Sequence, residues 1–250
     1  MPNTTPNLQH DISVCFDTAK RPWEPFHAKG FPSGIRMRPL RKFDNGTPRS
    51  AILRIPPGWK APASDIGGTT QQYFVLSGAI RVGDQLLRHN GFFAGFPGDA
   101  LPALSSDAGA DLVAIFEGTP RLETDGGTGR VKIIPDCFAV APIIPVINGK
   151  KLEGFERRVL WENPANGADT RLLKIPAGFR GAGPNYHPVE EEIFMLAGDG
   201  GPDDTRRMTA GWYLWNPAHG VHGYNEHSIG GMTILEWHDA LWSITFHTAP

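Results

Sequence analysis

The chain is poor in cysteine: Cys15 and Cys137 are the only two in 250 residues, far apart and in no CxxC pair. That leaves no disulfide framework and no thiolate zinc site, and it fits a reducing compartment. Charge of one sign is lacking too. The formal net charge is −2 and no stretch gathers Lys and Arg, so a nucleic acid or an anionic membrane has no electrostatic basis as a partner. No apolar run approaches the roughly 20 residues that a membrane span needs. The apolar stretch Phe138–Ile147 is short and is broken by Pro142 and Pro145. The first residues (MPNTTPNLQHDISV) have neither a basic start nor an apolar centre, so no secretory signal is expected and the chain reads as soluble and cytoplasmic. A Gly-rich phosphate-binding loop is missing, which argues against nucleotides and nicotinamide cofactors.

What the chain does have is core and turns. Hydrophobic residues make up 40%, enough for a sizeable interior, and 30 glycines with 23 prolines are more than helices tolerate. Self-similarity organises the rest. Ile52 to Gly58 (ILRIPPG) matches Leu172 to Gly178 (LLKIPAG), an offset of 120. The same offset relates Tyr73 to Gly78 (YFVLSG) with Ile193 to Gly198 (IFMLAG), and Gly91, Phe96 and Pro97 with Gly211, Asn216 and Pro217. Gly34, Arg38 and Leu40 likewise pair with Gly154, Arg158 and Leu160. The chain is therefore a tandem duplication, with halves of about 1–130 and 131–250 and Gly118–Gly129 as the expected linker.

Each half carries apolar runs of four to six residues bounded by Gly, Pro, Asp or Ser, as in Ile52–Ile55, Tyr73–Leu76, Phe92–Phe96 and Leu112–Phe116. Such runs predict an all-β antiparallel sandwich or barrel. Only Glu190–Leu196 also admits a helix, and its aromatic counterpart in the first half favours a strand.

The two copies differ where chemistry would sit. The second has Asn185, Tyr186, His187 and Glu191 before one strand and His222 after another; the first has Asp65, Gly67, Gln71 and Pro102 at the aligned positions. On one straight strand His187 and Glu191 would lie about 13 Å apart, too far for one ion. Pro188 suggests a turn, after which Glu191 could begin an antiparallel neighbour, with His222 arriving from a third strand. A helix would also put positions four apart on one face, so the spacing alone does not decide.

These residues carry a resemblance. Gly178, Asn185, His187, Glu191 and Gly198 are spaced like the first motif of the cupins, and Gly211, Pro217 and His222 like the second. The stretch from His187 to Gly198 (HPVEEEIFMLAG) is similar to the cupin domains of ChrR-like proteins and of dioxygenases that cleave acetylacetone or dihydroxyacetophenone. Trp23, Glu24 and Pro25 with Gly34 to Leu40 (GIRMRPL) are similar to the entry segment of such proteins. The resemblance implies two tandem jelly-roll barrels, or double-stranded β-helices, the first without metal ligands. In the second it implies a divalent metal on His187, Glu191 and His222. Asn185 stands where the family usually has a further histidine, which makes it a weak fourth ligand or a hydrogen-bonding partner of water or substrate. His219 stands where a glycine is usual.

Two histidines and one carboxylate are the donor set of non-haem Fe(II) oxygenases, and with a water they also suit catalytic zinc. The expected function is thus an Fe(II) dioxygenase acting on a small diketone, hydroxyketone or phenolic compound. Glu191, Asn185 and Tyr186 are the candidates for catalytic contact. Zn, Mn or Ni are the other metals considered; zinc would mean a hydrolase, lyase or isomerase. A non-catalytic metal or ligand sensor and a purely structural protein are the alternatives. The expected partners are a small-molecule substrate and a second copy in a homodimer, with no nucleic acid and no membrane. Tyr186, Trp212, Tyr213 and Trp215 are expected to line a pocket, and Arg180 to reach an anionic substrate. His219, His227 and His247 read as surface or turn residues, Glu190 and Glu192 as solvated charges. Glu236 and His238 are expected to face outward while Trp237 faces in.

Overall fold

The computed structural model describes residues 13–247 except 125. The residues before 13, over which no secretory signal is expected, lie outside the described range. Among the described residues there is no α-helix, only two single 3-10 turns at Thr18–Lys20 and Cys137–Ala139, and no helix is long and apolar enough to cross a membrane. The short apolar runs all became strands, as expected for β-branched and aromatic residues punctuated by Gly and Pro. Glu190–Leu196 is one of them, within the strand Glu191–Gly201.

The chain divides into two jelly-roll barrels. One takes residues 21–140; the other takes 141–247 together with the strand Val14–Asp17. In the second barrel the main sheet runs Val14–Asp17, Trp212–Asn216, Glu191–Gly201, His227–His238, Asp169–Ile175, Glu156–Glu162, each strand antiparallel to its neighbour. In the first the order is Lys132–Ile134, Phe92–Gly95, Gln71–Val82, Ala110–Phe116, Pro48–Ile55, Arg36–Lys42, Glu24–Pro25. The expected boundary near residue 130 falls ten residues short, for a physical reason. Each repeat lends its opening strand to the other repeat's sheet: Val14–Asp17 pairs with Trp212–Asn216, and Lys132–Ile134 pairs with Phe92–Gly95. In both cases the lent strand covers what would otherwise be an open sheet edge. The stretch expected as a linker is also built in. Arg121–Glu123 pairs with Ser64–Gly67, and Gly129–Arg130 pairs with Asp99–Leu101.

Pairing across the second sheet lines up three inward-facing rows. Asp169, His238, Glu191 and Asn216 form one; Arg171, Glu236, Ile193 and Leu214 the next. Arg157, Leu173, Ile234 and Met195 form the third. The first barrel has hydrocarbon at the equivalent places. Ala51, Ala114, Tyr73 and Phe93 replace the second row; Met37, Leu53, Leu112 and Val75 replace the third. The pairing shows that the repeat offset drifts from 120 to 121 at Phe93/Leu214 and to 122 at Ala114/Glu236. The Tyr73 ring stacks on Phe93 with centroids 4.6 Å apart and meets Phe116 edge-on at 6.0 Å, so that interior is filled.

Candidate metal centre

Three local devices bring the expected residues together. Asn185–Tyr186 is a two-residue strand against Thr245–Phe246, and its other edge exchanges both backbone hydrogen bonds with His222 at 2.9 Å. His187 and Pro188 then turn the chain, and Glu191 opens the long strand that follows. The turn at Pro188 is as expected, but His187 and Glu191 are not facing partners in one sheet. Asn185 and His222 are the facing pair.

His187, Glu191 and His222 are all buried, and their ligand atoms converge. His187 Nε2 lies 3.2 Å from His222 Nε2 and 3.5 Å from Glu191 Oε1; His222 Nε2 lies 3.9 Å from Glu191 Oε2. The protons of both rings are fixed by their far sides. His187 Nδ1 donates to the Ser243 carbonyl at 2.8 Å and His222 Nδ1 to the Gly220 carbonyl at 2.9 Å, a tautomer assignment that follows from carbonyls only accepting. The two Nε2 atoms are then bare lone pairs aimed at one another. Burial lowers the pKa of His187, Glu191 opposes that, and the neighbouring His222 adds to the lowering. Two ring nitrogens and a carboxylate that converge in a buried space form a donor set that a cation would bridge. The donor set fits a divalent ion.

Asn185 fits the same picture. Its Nδ2 donates to the Gly183 carbonyl at 3.2 Å, while its buried Oδ1 has no partner. A buried amide oxygen left unpaired costs about 1–3 kcal/mol. An ion, or water on an ion, would satisfy it.

Glu191 is held by three N–H donors. Asn216 Nδ2 reaches Oε2 at 2.7 Å; Trp242 Nε1 and His238 Nε2 both reach Oε1 at 3.3 Å. Burial alone would raise the carboxyl pKa, but His187 and the hydrogen-bonded His238 hold it well below the ordinary carboxylate range. His238 in turn sits between acids. Burial works against its charge, yet Asp169 Oδ1 at 2.6 Å, Glu191 and Glu236 raise its pKa to about 10. Arg171 closes the network, with Nε 2.7 Å from Glu236 Oε2 and Nη1 3.4 Å from Asp169 Oδ2, and with its guanidinium 4.7 Å from the Trp242 ring centroid. These buried charges are paired throughout, as a low-dielectric interior demands.

Glu236 and His238 therefore face in, and Trp237 packs on the other face against Tyr213. The expectation of the reverse failed because both faces of His227–His238 are covered over its second half, so hydrophobicity carries no parity signal there. Glu192 is not solvated either: it is buried on that same face and accepts from Tyr213 Oη at 2.6 Å. Tyr213 and Trp215 share its side of the sheet, Trp212 packs against the apolar core, and Tyr186 turns away from Asn185 toward the His219 ring; none lines the cavity. His227 is buried, donating to the Asn225 carbonyl at 3.0 Å. His219 lies outside the cluster with φ +60°, the left-handed conformation that glycine adopts freely.

Beside the cluster opens a cavity of about 420 Å³, walled mainly by aliphatic and Met side chains, with Phe155, Phe179 and Phe246. Arg180 stands in its lining with Nη1 3.4 Å from Asp204. Among the described residues the first barrel has no counterpart of the cluster. There Gln71 bonds to the Gly67 and Arg121 carbonyls and accepts from Tyr73, and Asp65 accepts from the Gly126 N–H at 2.8 Å.

Residues 144–241 match the family model of the ChrR cupin-like domain. That match lies in the second barrel, and the chain as a whole has the cupin fold. Among solved structures the chain is similar to a candidate dioxygenase from Nostoc punctiforme (TM-score 0.81, 18% identity, 95% of this chain and 87% of that one). It is also similar to protein YlbA of E. coli (TM-score 0.62, 12% identity, 92% of each chain). A further match is the oxalate decarboxylase of Bacillus subtilis, an enzyme with Mn(II) centres (TM-score 0.59, 12% identity, 96% of this chain and 80% of that one). At these identities the likeness establishes the fold. No curated protein matches the chain in sequence.

Proposed function

We propose that the second barrel is a metal-dependent oxygenase site for a small diketone, hydroxyketone or phenolic compound, with His187, Glu191 and His222 as ligands and iron(II) as the metal. The observation that carries this is the pair of bare Nε2 atoms 3.2 Å apart, facing a buried carboxylate. Bound iron would supply redox chemistry with dioxygen and a Lewis acid for a chelating pair of substrate oxygens.

The chain's own residues do the rest. Asn216, Trp242 and His238 fix the Glu191 carboxylate in one orientation, and the Ser243 and Gly220 carbonyls fix the two rings. Asn185 Oδ1 is a neutral acceptor for water or a substrate hydroxyl. The apolar cavity walls exclude bulk water and receive the substrate's hydrocarbon part. Tyr186, which faces away, has no part in this reading.

The test is elemental analysis of untagged protein purified without chelator, wild type beside His187→Ala. About one iron per chain that vanishes in the variant, with oxygen uptake on diketones or hydroxylated aromatics, is the expected result. Stoichiometric zinc would replace the oxygenase by hydrolytic or lyase chemistry. No metal after reconstitution would end the enzyme reading.

A further inference from the structure

Among the described residues, the cavity wall holds a half-buried guanidinium with no ion-pair partner. Of the arginines in its lining, Arg171 is paired with Glu236 and Asp169, and Arg180 with Asp204. Arg157 also lines the cavity, yet among the described residues its side chain makes no hydrogen bond or ion pair. Its backbone is tied down, N–H and carbonyl each bonded to Ile143 at 2.8 Å. The side chain is half-buried in a wall otherwise made of Leu173, Ile234 and Met195. Burial and the neighbouring Arg171 disfavour its charge, while Glu236 and Asp169, neither within ion-pair distance of it, favour it.

The first barrel supplies a control. At the equivalent place it has Met37, buried in a hydrocarbon core and paired with Leu53 as Arg157 pairs with Leu173. The fold thus accepts an apolar side chain at this point. An unpaired guanidinium there costs desolvation and returns no intramolecular bond. The third row lies two rows, about 13 Å along the strands, from the row of Glu191. Between them the wall has apolar side chains in Ile193 and Leu214 and the Arg171–Glu236 pair, which is already satisfied.

We infer that the cavity takes an amphiphilic monoanion, whose carboxylate is met by Arg157, whose hydrocarbon body lies along the apolar rows, and whose reacting oxygens point to the His187, Glu191 and His222 end. This deepens the proposed oxygenase function and rests on it for the reacting end only. A guanidinium meets a carboxylate through two parallel N–H···O bonds, a geometry that an ammonium cannot copy.

The test uses metal-free protein, so that a carboxylate cannot bind an ion. Wild type, Arg157→Met and Arg157→Lys are titrated calorimetrically with octanoate and with 1-octanol. The ratio of the octanol to the octanoate Kd is expected to fall by about tenfold or more in Arg157→Met, as loss of a charged hydrogen bond requires, while octanol binding is kept. Arg157→Lys should retain part of the preference. An unchanged ratio in Arg157→Met overturns the inference, as does a wild type that binds no octanoate. A protein that loses its metal and turnover claims but keeps this preference would overturn the oxygenase reading alone. Circular dichroism of each variant verifies folding, and the methionine of the first barrel makes Arg157→Met a fold-compatible choice.

Discussion

Replacing Arg171 by methionine should expose how the second barrel sustains its buried charge. Its side chain is 5% exposed, as is that of Glu236, and Asp169 is 14% exposed. Methionine keeps the apolar stem and deletes the guanidinium, leaving Glu236 without its 2.7 Å partner and Asp169 without the 3.4 Å one. Breaking a buried pair from one side costs about 3–5 kcal/mol. His238 remains beside both acids, at 2.6 Å from Asp169 and 3.6 Å from Glu236, which puts the loss near about 3 kcal/mol, the lower end of that range. That corresponds to a fall of roughly 6–12 °C in Tm for a domain of this size. Arg171→Met combined with Glu236→Leu deletes both charges and approaches the Ala51 and Ala114 solution of the first barrel, so it should come within about 1 kcal/mol of wild type. The assay is urea unfolding of the metal-free single and double variants. A single variant that loses less than about 1 kcal/mol, or a double variant as unstable as the single, would refute the pairing argument.

Other outcomes follow from separate parts of the molecule. Ser13 Oγ donates to Asn216 Oδ1 at 2.5 Å and so forces the amide to present Nδ2 to Glu191; Ser13→Ala should weaken Mn(II) or Fe(II) binding by about tenfold in chelator competition, with Ser13→Thr restoring it. Unaltered affinity would show that Asn216 needs no such support. Gly198 has φ +83°, and a Cβ there would run into the Gly231 carbonyl; Gly198→Ala should destabilise the barrel by at least about 2 kcal/mol in thermal unfolding, and an unchanged Tm would contradict the geometry. Burial, and secondarily Asp136, raise the Cys137 thiol to about 12. It should stay a thiol and resist alkylation of the native protein at pH 8, becoming reactive on unfolding; prompt native labelling of Cys137 would count against its burial.

The fold and the candidate cluster were legible because they depend on features that repeat or cluster. The four matched blocks revealed the duplication, the short runs revealed strands, and the difference between the copies singled out His187, Glu191 and His222. What the sequence hid depends on pairing at a distance. Ser13 is about 200 residues from Asn216, and no local pattern could join them. Arg171, Glu236 and His238 sit in strands buried on both faces, where alternation loses its meaning. The copies did hold a signal for Arg171 and likewise for Arg157: Ala51 against Arg171 and Met37 against Arg157 both lie at the constant offset of 120. The Glu236 counterpart is displaced by bulges and had to await the pairing register.

The exchange of opening strands has a consequence for the gene as much as for the protein. A cut between the repeats would not yield two independent modules, since each fragment would carry its neighbour's border strand and lack its own. Ser13, at the foot of one such strand, even reaches the Asn216 amide. Once a duplication has been interlaced in this way, the first copy cannot be cut away cleanly from the second. Removing residues 1–130 would take Val14–Asp17 with them and leave Trp212–Asn216 without its border strand.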